Sequence, residues 1–181
     1  MIIGLVGQNC AGKDTAANYL VSKGFEKYSL SDYLRRELEK QGKTPTRENL
    51  IELGNALRRE NGPGFLGEKA LEYLQEGKNY VVVSIRNPAE AKVLMQRKGF
   101  VLVAIGAPAQ VRFERMKARG REEDPSAFEE FLALENKENA GGDKQSINET
   151  MRMVDYTLDS SGSIDDEIKE VEKLCLKLNI T

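Results

Sequence analysis

Histidine is absent from this chain of 181 residues, and with it the side chain that ordinarily titrates near neutral pH. Ser-His and Cys-His nucleophilic catalysis are thereby excluded, so any chemistry must work by positioning and electrostatics. Cysteine is scarce as well: Cys10 and Cys175 stand in unlike settings with no paired spacing. Neither a disulfide framework nor a zinc site is indicated, and both read as free thiols. No apolar run approaches the length of a membrane span, and the opening MIIGLVGQNC lacks a basic n-region and a cleavage site. The expectation is a cytoplasmic protein with no membrane partner. An excess of charge is missing too, since 27 Lys and Arg face 29 Asp and Glu. No global field then marks a nucleic-acid polymer or an anionic membrane as a partner, and a basic site must be local.

What is present suffices for one core: 40% of the residues are apolar, and the chain reads as a single domain over 1–181. Ile2 to Val6 form an apolar strand ending at Gly7, and Lys13 to Lys23 carry helical spacing. Phe25 to Leu30 make a second strand, and Ser31 before Asp32 reads as the cap of a helix carrying Tyr33, Leu34 and Leu38. Helices follow at Thr46 to Arg59 and Phe65 to Leu74, parted by Asn61-Gly62-Pro63-Gly64. Tyr80 to Val83 is apolar throughout, as a buried parallel strand requires, and Pro88 opens a helix. Phe100 to Ile105 and Tyr156 to Leu158 complete the strands. Ala109 to Arg119, Ser126 to Glu138 and the amphipathic Ile164 to Leu178 are the remaining helices. Ala109 to Arg119 and Ser126 to Glu138, separated by the breakers of Gly120 to Pro125 and followed by those of Ala140-Gly141-Gly142-Asp143, could together form a hinged lid. Strands alternating with helices give an α/β fold, a parallel sheet with helices on both faces and a small helical lid.

The chemistry concentrates in Gly7-Gln8-Asn9-Cys10-Ala11-Gly12-Lys13-Asp14-Thr15, which follows a strand, precedes a helix and matches the phosphate-loop pattern through its lysine. Gly7 and Gly12 allow the loop to turn so that the N–H groups of residues such as Asn9 and Ala11 surround phosphate oxygens, and Lys13 reaches the β- and γ-phosphates. Asp14 stands where a Ser or Thr hydroxyl usually meets magnesium. A carboxylate beside phosphates repels them unless a divalent cation lies between, so either Asp14 is near the metal or Thr15 supplies that contact.

Read together, GQNCAGKDT, SLSDYLR, VVVSIRNPAE, APAQVRFERMKARGR and VDYTLDSSGS resemble the nucleoside-monophosphate-kinase-like P-loop kinases over most of the chain. The GKDT variant is most similar to deoxynucleoside monophosphate kinases, and the order of the later motifs is also similar to dephospho-coenzyme A kinases. The resemblance implies a P-loop NTPase fold, ATP and Mg2+ as cofactors, a small-molecule phosphate acceptor, a substrate region near residues 31–75 and an arginine-bearing lid near residues 112–145. Arg112, Arg115, Arg119 and Arg121 cluster there. The first three share a helical face, which suits them either to phosphate oxygens or to a solvated surface. Arg119 and Arg121 are the expected catalytic pair with Lys13, and Arg115 is expected at the nucleotide. Asp32 faces the acceptor or a metal-bound water in the resemblance, or else serves the first turn of its helix. Arg35 and Arg58 either clamp an acceptor phosphate or are solvated. Arg86 falls at the C-terminal edge of the sheet, where open α/β folds bind ligands. Ser84 stands where related kinases often carry an acidic residue. In Asp159-Ser160-Ser161-Gly162-Ser163, Ser160 and Gly162 resemble the loop that meets adenine, or form a capping turn. Two rival readings stand beside the kinase: a noncatalytic nucleotide sensor, and dephospho-coenzyme A as the acceptor. Oligomeric state is not encoded in any of these signals.

Overall fold

The computed structural model describes residues 1–121, 124–139 and 146–180. Its elements run β1 (Ile2–Val6), α1 (Lys13–Ser22), β2 (Glu26–Ser29), α2 (Leu30–Lys40), α3 (Arg47–Asn61), α4 (Phe65–Tyr73), β3 (Tyr80–Val83) and α5 (Pro88–Met95). They continue with β4 (Phe100–Gly106), α6 (Ala109–Arg119), α7 (Phe128–Glu138), α8 (Ile147–Thr150), a 3-10 turn (Met151–Met153), β5 (Tyr156–Asp159) and α9 (Ile164–Lys177). The five strands form one parallel sheet in the order β2-β3-β1-β4-β5. β1 lies at its centre, pairing Ile2 with Tyr80 on one side and with Phe100 on the other.

Alternation along the strands assigns the two faces. Ile2 and Val6 of β1 join Leu30, Leu34, Leu66, Ala70, Ala91 and Leu94 under α2, α4 and α5. Ile3 and Leu5 turn the other way and meet Ala16, Ala17, Leu20, Val171 and Leu174 under α1 and α9. A third, smaller cluster joins α6 to α7: Phe113, Met116 and Phe131 are buried, and the Phe113 ring lies 5.4 Å from Phe128 and 5.7 Å from Phe131. Chain order departs from β1 toward the β2 edge and later crosses to the β4 side. The loops after β1, β3 and β4 therefore collect at the C-terminal edge beside a topological switch.

The expected strands and long helices are present with shifted ends, and two local details differ. Ser31 does not cap α2. Ser29, still extended at φ −112° and ψ 129°, is the N-cap, and its hydroxyl accepts from the Ser31 amide, which puts Ser31 and Asp32 inside the first turn. Thr46, Asn87 and Ser163 cap α3, α5 and α9 in the same way. The short α8 and its 3-10 turn, unforeseen in the sequence, dock Ile147 into the first cluster. The breaker at residues 140–143 lies outside the described residues. Among the described residues no helix is long and apolar enough to cross a membrane.

Candidate functional site

Tight packing shapes the loop between β1 and α1. A Cβ at Gly7 would lie 2.4 Å from the Ile105 carbonyl oxygen, and Gly12 adopts φ +105°, so both positions require glycine. Cys10 also takes a positive φ of 58°. Gly12 is the N-cap of α1 and makes no side-chain capping bond. The first amides of the helix, the orphan donors of any helix start, thus have no side-chain cap. Residues 9–15 line a cavity of about 740 Å³ that Lys27, Asp32, Arg35, Ser84, Arg86, Arg115, Arg119 and Arg121 close. Lys13 folds back and donates to the carbonyls of Gly7 (2.9 Å) and Gln8 (2.7 Å). Burial, then the charge of Arg86, lowers its pKa to about 8. Asp14 is exposed and paired with Lys27 at 2.9 Å, which holds its carboxyl below the ordinary value. Thr15 lies half-buried beside it on the cavity wall.

A second cavity of about 270 Å³ adjoins the first between α2, α3 and the ends of β3 and α6, and Leu30, Leu34, Leu50, Ile51 and Leu66 give it an apolar wall. Asn9, Arg35, Ser84, Arg86, Arg119 and Arg121 border both spaces. Ser84, at φ 64°, shares a 2.9 Å hydrogen bond with the Ser29 hydroxyl at the sheet edge.

Of the expected arginines, Arg35, Arg86, Arg119 and Arg121 stand at this junction, Arg58 lines only the second cavity, Arg115 only the first, and Arg112 neither. Arg35 donates to Asp32 at 2.6 Å, and both are half exposed. Arg58 is not solvated: it is buried against Glu90, donating through Nε (2.9 Å) and Nη2 (2.7 Å), its Nη1 donates to Asn55 at 3.3 Å, and it lines the second cavity. The backbone amide of Arg86 donates to the other Glu90 oxygen at 2.9 Å, fixing the turn after β3. Burial lowers the pKa of the Arg86 guanidinium, and Glu138 offsets part of that shift. Arg119 is bidentate on Asp124, and Arg121 follows Gly120, whose left-handed φ of 64° ends α6. Arg112 leaves the row. It is buried, bonded to Glu135 of α7 and to the carbonyls of Ala107 and Asn9, so it braces the phosphate loop instead of facing solvent. Arg115 lines the larger cavity and donates to the Ser160 hydroxyl (3.0 Å), the Ser160 carbonyl (2.7 Å) and the Gly162 carbonyl (3.1 Å). Ser160 and Gly162 themselves do not line that cavity; they meet it through Arg115. Four carboxylates escaped the sequence reading as site residues: Glu90, Glu135, Glu138 (paired with Arg47 at 2.7 Å) and Glu167. Only Glu90 carried a local signal, three residues after the Asn87 cap.

Sheet, phosphate loop and paired cavities define a P-loop kinase-like domain. The AAA domain family model matches residues 3–140. A UPF0200/UPF0201 protein of Archaeoglobus fulgidus is 33% identical over 98% of this chain, which spans only 55% of that relative's length. A UPF0200 protein of Pyrococcus horikoshii is 32% identical over 98% of this chain and 97% of its own. The chain belongs to the UPF0200 family, and its P-loop domain to the AAA domain family. Among solved structures, the shikimate kinase of Acinetobacter baumannii shares the fold at a TM-score of 0.60 and 17% identity, covering 98% of this chain and 93% of that one. The dephospho-CoA kinase of Campylobacter jejuni does so at 0.55 and 16%, covering 98% and 96%.

Proposed function

We propose that this chain is an ATP-dependent phosphotransferase acting on a small anionic acceptor, a (deoxy)nucleoside monophosphate. The observation that carries the reading is the junction of the two cavities: a helix start without a side-chain cap and Lys13 on one side, an apolar-walled space on the other, and Arg35, Arg86, Arg119 and Arg121 between them. Polyphosphate on the α1 amides would draw Lys13 off its own loop carbonyls, and the arginines would stabilise charge spread over the transferring group. An oxygen of the acceptor phosphate attacks the γ-phosphorus, the bond to the β–γ bridging oxygen breaks, and ADP leaves. That oxygen is already deprotonated at neutral pH, so a chain without histidine needs no strong general base, and Asp32 serves orientation. A hydroxyl acceptor such as dephospho-coenzyme A would instead have to surrender a proton to a carboxylate that Arg35 already engages.

The hard oxygen donors on the first turn of α1, the Thr15 hydroxyl and Asp14 carboxylate, suit Mg2+, which takes one or two protein oxygens and keeps water and phosphate as its other ligands. When bound it supplies charge neutralisation at the phosphates. A noncatalytic sensor is the second reading, favoured by the Ser29–Ser84 hydroxyl pair at the strand end where no carboxylate stands. The deciding experiment offers ATP, Mg2+ and candidate acceptors to the purified protein and follows ADP together with phosphorylated product. ATP binding without transfer to any acceptor selects the sensor.

A further inference from the structure

Against Gly12 of the phosphate loop, and outside the lining of both cavities, lies a carboxylate that the proposed chemistry leaves unused. Glu167 of α9 is 2% exposed. Its Oε2 accepts a 2.6 Å hydrogen bond from the Ser160 hydroxyl, and Oε1 has no hydrogen-bond partner among the described residues. A Cβ placed on Gly12 would fall 2.3 Å from Oε2 and 2.5 Å from Oε1, so the carboxylate packs directly on the Gly12 backbone. Ser160 is itself fully buried and receives Arg115, which lines the larger cavity.

We propose that Glu167 is a positioning residue for the nucleotide site: its carboxylate sets the spacing between the phosphate loop at Gly12 and the Asp159–Ser163 loop, acting through Ser160 and Arg115. Its energetics fit a positional role better than a packing role. A carboxyl with one unpartnered oxygen is costly to bury, and an apolar side chain would fill the same space at less expense. Burial raises the pKa of Glu167, while the Ser160 hydroxyl and the charge of Arg115 pull it back. The group thus meets the start of α1 and the β5–α9 loop together, and no other side chain among the described residues hydrogen-bonds to Ser160 from α9. Gly12 gains a second reason for being glycine, because any side chain there would displace this carboxylate.

The inference rests on the nucleotide-binding reading, and titration calorimetry with ATP and Mg2+ separates the two. Glu167→Ala is expected to raise the Kd for ATP about tenfold, the equivalent of one lost positioning hydrogen bond, whereas Glu167→Gln, which keeps the shape and an acceptor for Ser160, stays within about threefold of wild type. Leu174→Ala on the same helix removes a buried core side chain; it should lower Tm while leaving the Kd unchanged. A wild-type Kd in Glu167→Ala, or an equal rise in Leu174→Ala, overturns the proposal. If Glu167→Ala does not fold, Ser160→Ala decides: a severalfold weaker Kd supports the role and an unchanged one overturns it. Absence of ATP binding by the wild type defeats the nucleotide reading, and the inference falls with it.

Discussion

At the scale of single residues, Lys13 gives the sharpest prediction because its state is set by what it touches. Burial and Arg86 lower its pKa to about 8. Phosphate oxygens favour the charged form and would move it back up, so nucleotide binding at pH 8 should take up about half a proton. At pH 6.5 Lys13 is already protonated and the uptake should vanish. Calorimetry in buffers of different ionisation enthalpy measures this directly; equal apparent enthalpies at pH 8 would refute it. Lys13→Ala should abolish the uptake and phosphoryl transfer while Tm stays near wild type, since the amine touches only its own loop. For Arg86, whose backbone stays pinned to Glu90, replacement by Ala should lower kcat/KM for the acceptor roughly tenfold with ATP affinity retained. The phosphate loop and the row Arg112, Arg115, Arg119 and Arg121 stand out in the sequence because they are contiguous or about one helical turn apart. Carboxylate partners do not. Glu135 lies 23 positions from Arg112 and Glu90 lies 32 from Arg58, and nothing local pairs them.

At the scale of elements, α7 is the piece whose behaviour the contacts redefine. The sequence suggests that α6 and α7 together form a hinged lid, and α7 is held at three places: the phenylalanine cluster with α6, Glu135 on Arg112 and thence the Asn9 carbonyl, and Glu138 on Arg47 of α3. Asn139, just past its end, donates to Gln8 of the phosphate loop at 3.4 Å. Removing Glu135 leaves a buried guanidinium without its carboxylate, a loss of about 3 kcal/mol or more. Glu135→Ala should therefore speed hydrogen exchange over residues 128–138 while α1 and α9 keep wild-type protection. ATP with Mg2+ should restore part of the lost protection by recruiting the arginines of α6. Uniform destabilisation across all three helices would contradict a local latch. The alternation of elements was readable because strand and helix periods differ, and the strands β1 and β3 are plain in the sequence. α8, four residues long, is too short to show a period. The cap of α2 was misplaced by two residues because Ser29 and Ser31 are equally good caps on chemistry alone, and only the end of β2 decides between them.

At the scale of the whole molecule, a nearly neutral chain concentrates its cations at one edge. Lys13, Lys27, Arg35, Arg86, Arg115, Arg119 and Arg121 border the larger cavity, against two carboxylates, Asp14 and Asp32. On the proposed function such a field would favour anionic ligands in both spaces and bring two negatively charged reactants together. On that function the acceptor would occupy the smaller cavity, which shares Asn9, Arg35, Ser84, Arg86, Arg119 and Arg121 with the larger one. With ATP and Mg2+ held constant, we expect deoxynucleoside monophosphates to give the highest kcat/KM in a panel that includes ribonucleoside monophosphates and dephospho-coenzyme A. Arg86→Ala should depress the rate with the best acceptor and leave ATP binding intact. If dephospho-coenzyme A is phosphorylated far more efficiently than every mononucleotide, the acceptor assignment is wrong and the kinase assignment stands. If ATP binds tightly and no acceptor in the panel is phosphorylated, the cationic edge serves recognition alone, and the Ser29–Ser84 pair becomes the first place to look for the missing step.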